Sequence, residues 1–273
     1  MLSELSERDA TGRFAAIYSE IRRLWAVPYV SSLQRHLATR PGWLDWTWAA
    51  LAPAFESGRA QQAAWRAAEG LAVPALAPLS RHALRVWGID AGGEVAIRAS
   101  CASFVRASPV NLMLSGLLRR LLAGDRPAGI GAAAVAWTPP PDLGPLPALV
   151  DPAALPGDEA AVLATLGTTV DGQPFLPGLY RMLAGWPAFL AHVATVLQPH
   201  FHDPCTRATC QRLLDAVDAE IPALFAALPP LPRQPAPPPA GEHEGVLAAL
   251  DTYRRTSPDM VVFGRMLGEA LPA

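Results

Sequence analysis

The chain repeats itself. Residues 28–53 align without a gap on residues 174–199, and nine of the 26 positions are identical: Pro28/Pro174, Leu33/Leu179, Arg35/Arg181, Leu37/Leu183, Ala38/Ala184, Pro41/Pro187, Leu44/Leu190, Leu51/Leu197 and Pro53/Pro199. Upstream, Gly12-Arg-Phe-Ala-Ala-Ile parallels Gly157-Asp-Glu-Ala-Ala-Val, with one residue of slippage. Downstream, Phe104-Val-Arg-Ala-Ser-Pro109 parallels Tyr253-Arg-Arg-Thr-Ser-Pro258. Three blocks in one order at near-constant spacing define a duplicated unit, residues 9–124 and again 150–271, joined by a Pro-rich linker over 125–149. One such unit has a single apolar face and cannot bury it alone; two copies facing each other can. The expected architecture is therefore two tandem repeats packed as a pseudo-two-fold dimer. A ligand pocket belongs where equivalent segments from both halves converge.

Within each unit the apolar period is helical. Phe14, Ile17, Ile21, Leu24 and Trp25 form one stripe, and Asp9 with Thr11 offers cap chemistry at its start. Pro41 stops a helix carrying Leu33 and Leu37, and Trp43-Leu-Asp-Trp-Thr-Trp restarts one with an apolar aromatic face. Ser108-Pro109 and Ser257-Pro258 read as helix starts, serine as cap and proline at the first turn, leading into apolar helices that end near Leu122 and Leu271. No alternating run is long enough to force a strand, so the class is all-α. The prolines between Pro127 and Pro156 favour an extended connection, and Pro229 to Pro239 should be a surface loop.

Composition narrows the partners. A net charge of −2, with every cation an Arg, argues against nucleic acid and anionic membranes, both of which select basic surfaces. The polar N-terminus lacks a signal-peptide pattern, and apolar stretches break short of the roughly 20 residues that span a bilayer. A cytoplasmic protein without a membrane partner is expected. Cys101, Cys205 and Cys210 suit reduced thiols there, and the last two lack Cys-x-x-Cys spacing. A homodimer is also compatible with this composition.

The blocks Ile17-Tyr-Ser-Glu-Ile-Arg-Arg-Leu-Trp-Ala-Val-Pro-Tyr-Val, Leu37-Ala-Thr-Arg-Pro-Gly-Trp-Leu and Ala184-Gly-Trp-Pro, together with the duplication, resemble the group I 2-haloacid dehalogenases, also called halocarboxylic acid dehydrogenase-like proteins. That resemblance implies an all-helical pseudo-dimer with a buried site between the repeats, no cofactor and no metal. It further implies a reaction in which an Asp activates water to displace halide from Cα of a small 2-haloacid, with inversion and no covalent ester. Transferred residue by residue, the family's Asp falls on Leu179, its Ser neighbour on Gly178 and an Asn on Ser108. An aromatic pocket wall falls on Tyr29 and Ser32, and a pocket tyrosine is kept as Tyr253. Leucine cannot take a proton from water, so hydrolysis needs another base. The alternative is a non-catalytic paralogue that binds small carboxylic acids in the same pocket.

Few substitutes offer themselves. Asp171, in Val170-Asp-Gly-Gln, lies eight residues before Leu179, though Asp-Gly is also a turn signal. His192 occupies the position of Trp46 in the first repeat and reads first as a core residue. His200-Phe-His202-Asp203 lacks a third ligand nearby and reads as a loop more readily than as a metal site. Arg35 and Arg181, equivalent in the two repeats, either bracket a ligand carboxylate or pair with acids of their own repeat such as Glu20 or Glu159.

Overall fold

Apolar residues at helical spacing become helices along most of the chain. The structure, a computed structural model describing residues 3–130, 137–170 and 173–273, is all-α apart from one small hairpin. The first half holds α1 (Gly12–Trp25), α2 (Ser32–Leu37), α3 (Trp43–Glu56), α4 (Arg59–Glu69), α5 (Arg81–Val86) and α6 (Ala91–Leu122). The second holds α7 (Gly157–Thr165), β1 (Thr168–Val170), β2 (Gln173–Phe175), α8 (Gly178–Leu183), α9 (Pro187–Leu197), α10 (Pro204–Ala227) and α11 (His243–Ala270). The strands pair antiparallel with Thr168 opposite Phe175, and at three residues each they are too short to show a period-two pattern.

The α1 stripe is buried as its spacing requires: Ile17, Ile21, Leu24 and Trp25 all face the core. Thr11 takes the N-cap position, yet its side chain makes no capping bond; Asp9 instead accepts from the Ser6 hydroxyl at 2.6 Å. Residues 229–239 connect α10 and α11 without helix or strand.

The two Ser-Pro pairs are not helix starts. Pro109 lies inside α6, and Pro258 inside α11. A mid-helix proline removes one backbone donor and crowds the carbonyl four residues earlier, at a cost of about 3 kcal/mol in an exposed helix. Here the surroundings outweigh that cost. Every residue of α6 from Ala107 to Leu118 is buried, so packing on all sides holds the helix through the proline. The apolar run is thus longer than its proline suggests. Among the described residues α6 alone has the length and apolarity of a membrane span, and 83% of that window is buried inside the protein.

Helices α6 and α11 make the longest helix–helix contact, and α6 also touches α1, α3, α4, α8 and α10. At their closest approach Gly264 leaves room for the neighbouring backbone: a methyl there would stand 3.0 Å from Val105 Cγ2 and 3.3 Å from the Cys101 carbonyl oxygen. Two apolar cores flank this pair. One joins α1, α3 and α4 to the second half of α6, to α10 and to the start of α11. The other joins α5 and the first half of α6 to α7, α8, α9 and the end of α11. Neither core respects the repeat boundary, so residues 9–124 and 150–271 do not bury their apolar surfaces separately.

Buried polar groups tie helix ends together in the first core. Gln61 is fully buried, and its amide donates to the Leu24 carbonyl at 3.1 Å and the Phe55 carbonyl at 2.8 Å, closing the ends of α1 and α3. Changing Gln61 to Ala takes the side-chain donor from the Leu24 carbonyl, leaves the Phe55 carbonyl with the Gly58 amide at 3.0 Å, and opens a small void. A loss of about 2–4 kcal/mol in urea-unfolding stability is expected; a loss below about 0.5 kcal/mol would show that the Leu24 carbonyl is satisfied otherwise.

Candidate functional site

Between the two cores lies a small, partly open cavity of about 50 Å³. That is room for only about four water molecules, far below the roughly 300–1,000 Å³ of drug-sized ligand pockets. A molecule of few heavy atoms is the most it can take. Two broader concavities, about 770 and 720 Å³, are more open, and the arginines of the first are already engaged: Arg207 with Asp259 at 2.9 Å and Arg254 with Asp218 at 2.6 Å.

The cavity wall is built from positions that the duplication equates. Tyr29 and Phe175, Ser31 and Pro177, Ser32 and Gly178, Phe104 and Tyr253, Ser108 and Ser257, and Asn111 and Met260 all line it. Helix geometry explains the selection. On α11, Tyr253, Thr256, Ser257 and Met260 fall at i, i+3, i+4 and i+7, one stripe of the helix surface. On α6, Phe104, Ser108 and Asn111 do the same at i, i+4 and i+7. The short helices present one face each, Ser32 and Arg35 from α2, Gly178 and Met182 from α8.

Tyr29, Ser32, Ser108, Gly178 and Tyr253, gathered in the sequence by resemblance, therefore stand together on one wall. Leu179 does not join them. It is fully buried in the second core beside Tyr180 and Leu183, while its repeat equivalent Leu33 is fully buried in the first. One residue along a helix turns the side chain by about 100°, enough to move it from cavity to core. Gly178 also departs from the serine that the resemblance implies: a Cβ there would meet Phe104 Cζ at 3.1 Å, so the phenyl ring occupies that space. The aromatic wall is accordingly remade. Tyr29 packs on Phe104 with centroids 5.2 Å apart, and Phe175 meets Tyr253 edge-on at 5.9 Å.

Asn111 went unnoticed in the sequence. It lies on the stripe of Ser108, and its Oδ1 accepts from Gln34 Nε2 at 3.0 Å, tying α2 to α6 behind the wall. The signal was present: a lone amide inside an apolar helix, three residues after Ser108. Arg35 is the one cation among the described lining residues, and none of them carries a carboxylate. Its Nη2 contacts Glu4 at 2.7 Å and the Ser32 hydroxyl at 3.1 Å, whereas its buried Nε has no acceptor. Arg35 thus pairs with Glu4, and Glu20 instead accepts from Trp48 Nε1 at 2.6 Å. Arg181 is placed differently, donating to the Val150 carbonyl at 3.0 Å.

Burial raises both wall phenols above their ordinary range, with the positive charge of Arg35 opposing the rise in each case. At Tyr253 the carboxylate of Glu4 adds to the rise and the Ser32 hydroxyl opposes it. Both tyrosines stay protonated, and Tyr253 Oη, buried without a well-formed hydrogen bond, is a donor waiting for an acceptor. The lining offers an anion hydroxyl, amide and guanidinium donors. Among the described lining residues there is no carboxylate to activate water.

The remaining candidates lie elsewhere. Asp171 falls outside the described residues. His192 is half-buried against the Trp87 ring at 4.7 Å, where desolvation lowers its pKa and favours the neutral ring. His202 is exposed, His200 Nδ1 sits 3.3 Å from the Thr206 hydroxyl, and Asp203 caps α10 through the Thr206 amide at 2.8 Å. No cluster of three metal-ligating side chains occurs among the described residues. One acid with a raised pKa does exist: Asp259, desolvated and opposed by Arg207 and Cys210. It follows Pro258 on α11 and sits off the cavity stripe, accepting from the Cys210 thiol at 3.3 Å.

If Leu179 is a core residue, an acid there is costly. Leu179→Asp is expected to lower stability by about 3–5 kcal/mol, against under about 1.5 kcal/mol for Leu179→Met, by chemical denaturation. Equal stability of the two variants would place residue 179 at the cavity.

No protein-family model and no curated protein matches the chain. Solved structures do. A D-2-haloacid dehalogenase mutant and a D-2-haloacid dehalogenase in complex with L-LA each superpose with a TM-score of 0.75 at 19% identity, over 99% of this chain and 96% of theirs. A mutant of such an enzyme with D-2-CPA gives 0.74 over the same shares. Across nearly its whole length, this chain has the fold of the D-2-haloacid dehalogenases.

Proposed function

We propose that this chain binds a small carboxylic acid in the cavity between α2, α6, α8 and α11 and does not hydrolyse a carbon–halogen bond. A single observation carries the reading: the described wall presents Arg35, Asn111, four serines and two protonated tyrosines to an anion, and no carboxylate to a water. Direct displacement by water needs a carboxylate within hydrogen-bond reach of that water. The position where the resemblance expects the acid holds Leu179, buried in an apolar core. The likeness to D-2-haloacid dehalogenase structures, two of them solved with L-LA or D-2-CPA, supports a ligand of the class those enzymes act on. The pairing of duplicated positions on the wall supports the pseudo-two-fold reading of the repeats.

Two measurements test this. At about a hundredfold excess over Kd, 2-chloropropionate or lactate should raise the unfolding temperature by on the order of 5–10 °C. Halide release from 2-chloropropionate should stay at the buffer rate for the unaltered chain and for Asp171→Asn alike. Release by the unaltered chain that Asp171→Asn abolishes would restore the hydrolase reading, with Asp171 as its base.

A further inference from the structure

Both repeats bring polar groups to the cavity: Ser31, Ser32, Arg35, Ser108 and Asn111 from the first, and Tyr253, Thr256 and Ser257, beside Met182 and Met260, from the second. The guanidinium of Arg35 is the one full positive charge among the described lining residues, and its geometry is unfinished. The side chain is 12% exposed, Nη2 is shared by Glu4 and Ser32, and Nε is buried with no acceptor. An unpaired N–H in that setting is costly until an acceptor arrives.

Glu4 reaches Arg35 because the N-terminal segment is strapped across the outside of α2. The Leu5 amide donates to the Arg35 carbonyl at 3.0 Å, the Ser3 carbonyl faces His36 Nδ1 at 2.8 Å, and Tyr18 Oη donates to the Leu5 carbonyl at 3.1 Å. Glu7 fixes the far end by accepting from the Val30 amide at 2.7 Å and pairing with Arg22. The second repeat repeats the backbone part of this arrangement, the Val150 amide donating to the Arg181 carbonyl at 3.2 Å, but supplies no acid: Arg181 Nε is spent on the Val150 carbonyl. Among the described residues, the first repeat alone joins an arginine on the cavity wall to a carboxylate on a strap.

Resting on the carboxylate-binding reading above, we infer that Arg35 anchors the ligand carboxylate through its free Nε side, while Glu4 holds the other side of the same guanidinium and acts as a built-in competitor that keeps anion affinity low. The ligand and Glu4 then share one cation, so each carboxylate weakens the hold of the other. Glu4 is a tuning residue rather than a binding one, and its removal strengthens binding.

The test titrates 2-chloropropionate and its neutral amide, 2-chloropropionamide, calorimetrically into the unaltered chain, Arg35→Met and Glu4→Gln. Arg35→Met should weaken the acid at least tenfold and leave the amide within about twofold; Glu4→Gln should tighten the acid by roughly three- to tenfold and steepen its salt dependence. Acid binding by Arg35→Met at unaltered strength, or Glu4→Gln binding the acid no better, overturns the inference while leaving the carboxylate-binding reading intact. Failure of the unaltered chain to bind the acid overturns both. Should Arg35→Met not fold, the direction of the Glu4→Gln change decides alone.

Discussion

The contact between α6 and α11 is the constraint on which the rest hangs. Both helices continue past an internal proline, and both are buried at that point, in α6 by an unbroken sequence from Ala107 to Leu118. Their approach is close enough that Gly264 cannot gain a methyl without pressing on Val105 and the Cys101 carbonyl. Each helix contributes to both cores, so the two cores share this one helix pair. The cavity is what remains where the cores meet: Tyr29 packs against both of them.

That arrangement makes the angle of a residue around its helix decide its chemistry. Ser32 and Gly178 reach the cavity while their immediate successors, Leu33 and Leu179, are fully buried in opposite cores. Ser257 and Met260 reach it while Asp259, between them, turns toward Cys210 and Arg207. Transferring a role by alignment is accurate to a residue, and here one residue separates an apolar core from a ligand wall.

Much of the fold was legible because the period and the duplication agree. The stripe from Ile17 to Trp25 gave α1, and the repeated Pro-flanked block marked α2 and α8 with the helices that follow them. Ser108-Pro109 and Ser257-Pro258 were misread because cap preference is local, whereas the burial that carries a helix through its proline comes from partners far away in the chain. The wall residues Tyr29, Ser32, Ser108, Gly178 and Tyr253 came from resemblance, not from pattern. Asn111 and the hold of Glu4 on Arg35 were not legible. One required the register of α6 against α2, and the other required an irregular segment whose course is set by single hydrogen bonds from Leu5 and Ser3.

Among the described residues, the partly buried acids Asp259 and Glu4 do not line the cavity. Asp259 is desolvated enough to hold its proton above the ordinary carboxyl range, the property a general base needs, yet its neighbours are a thiol and a guanidinium rather than a water beside a substrate carbon. Glu4 is one guanidinium removed from the wall, and its partner Arg35 stands between it and the interior. A carboxylate in either place modulates charge but cannot take a proton from the cavity. Among the described lining residues the one full charge is the cation of Arg35, which is the electrostatic arrangement that favours an anion in the cavity.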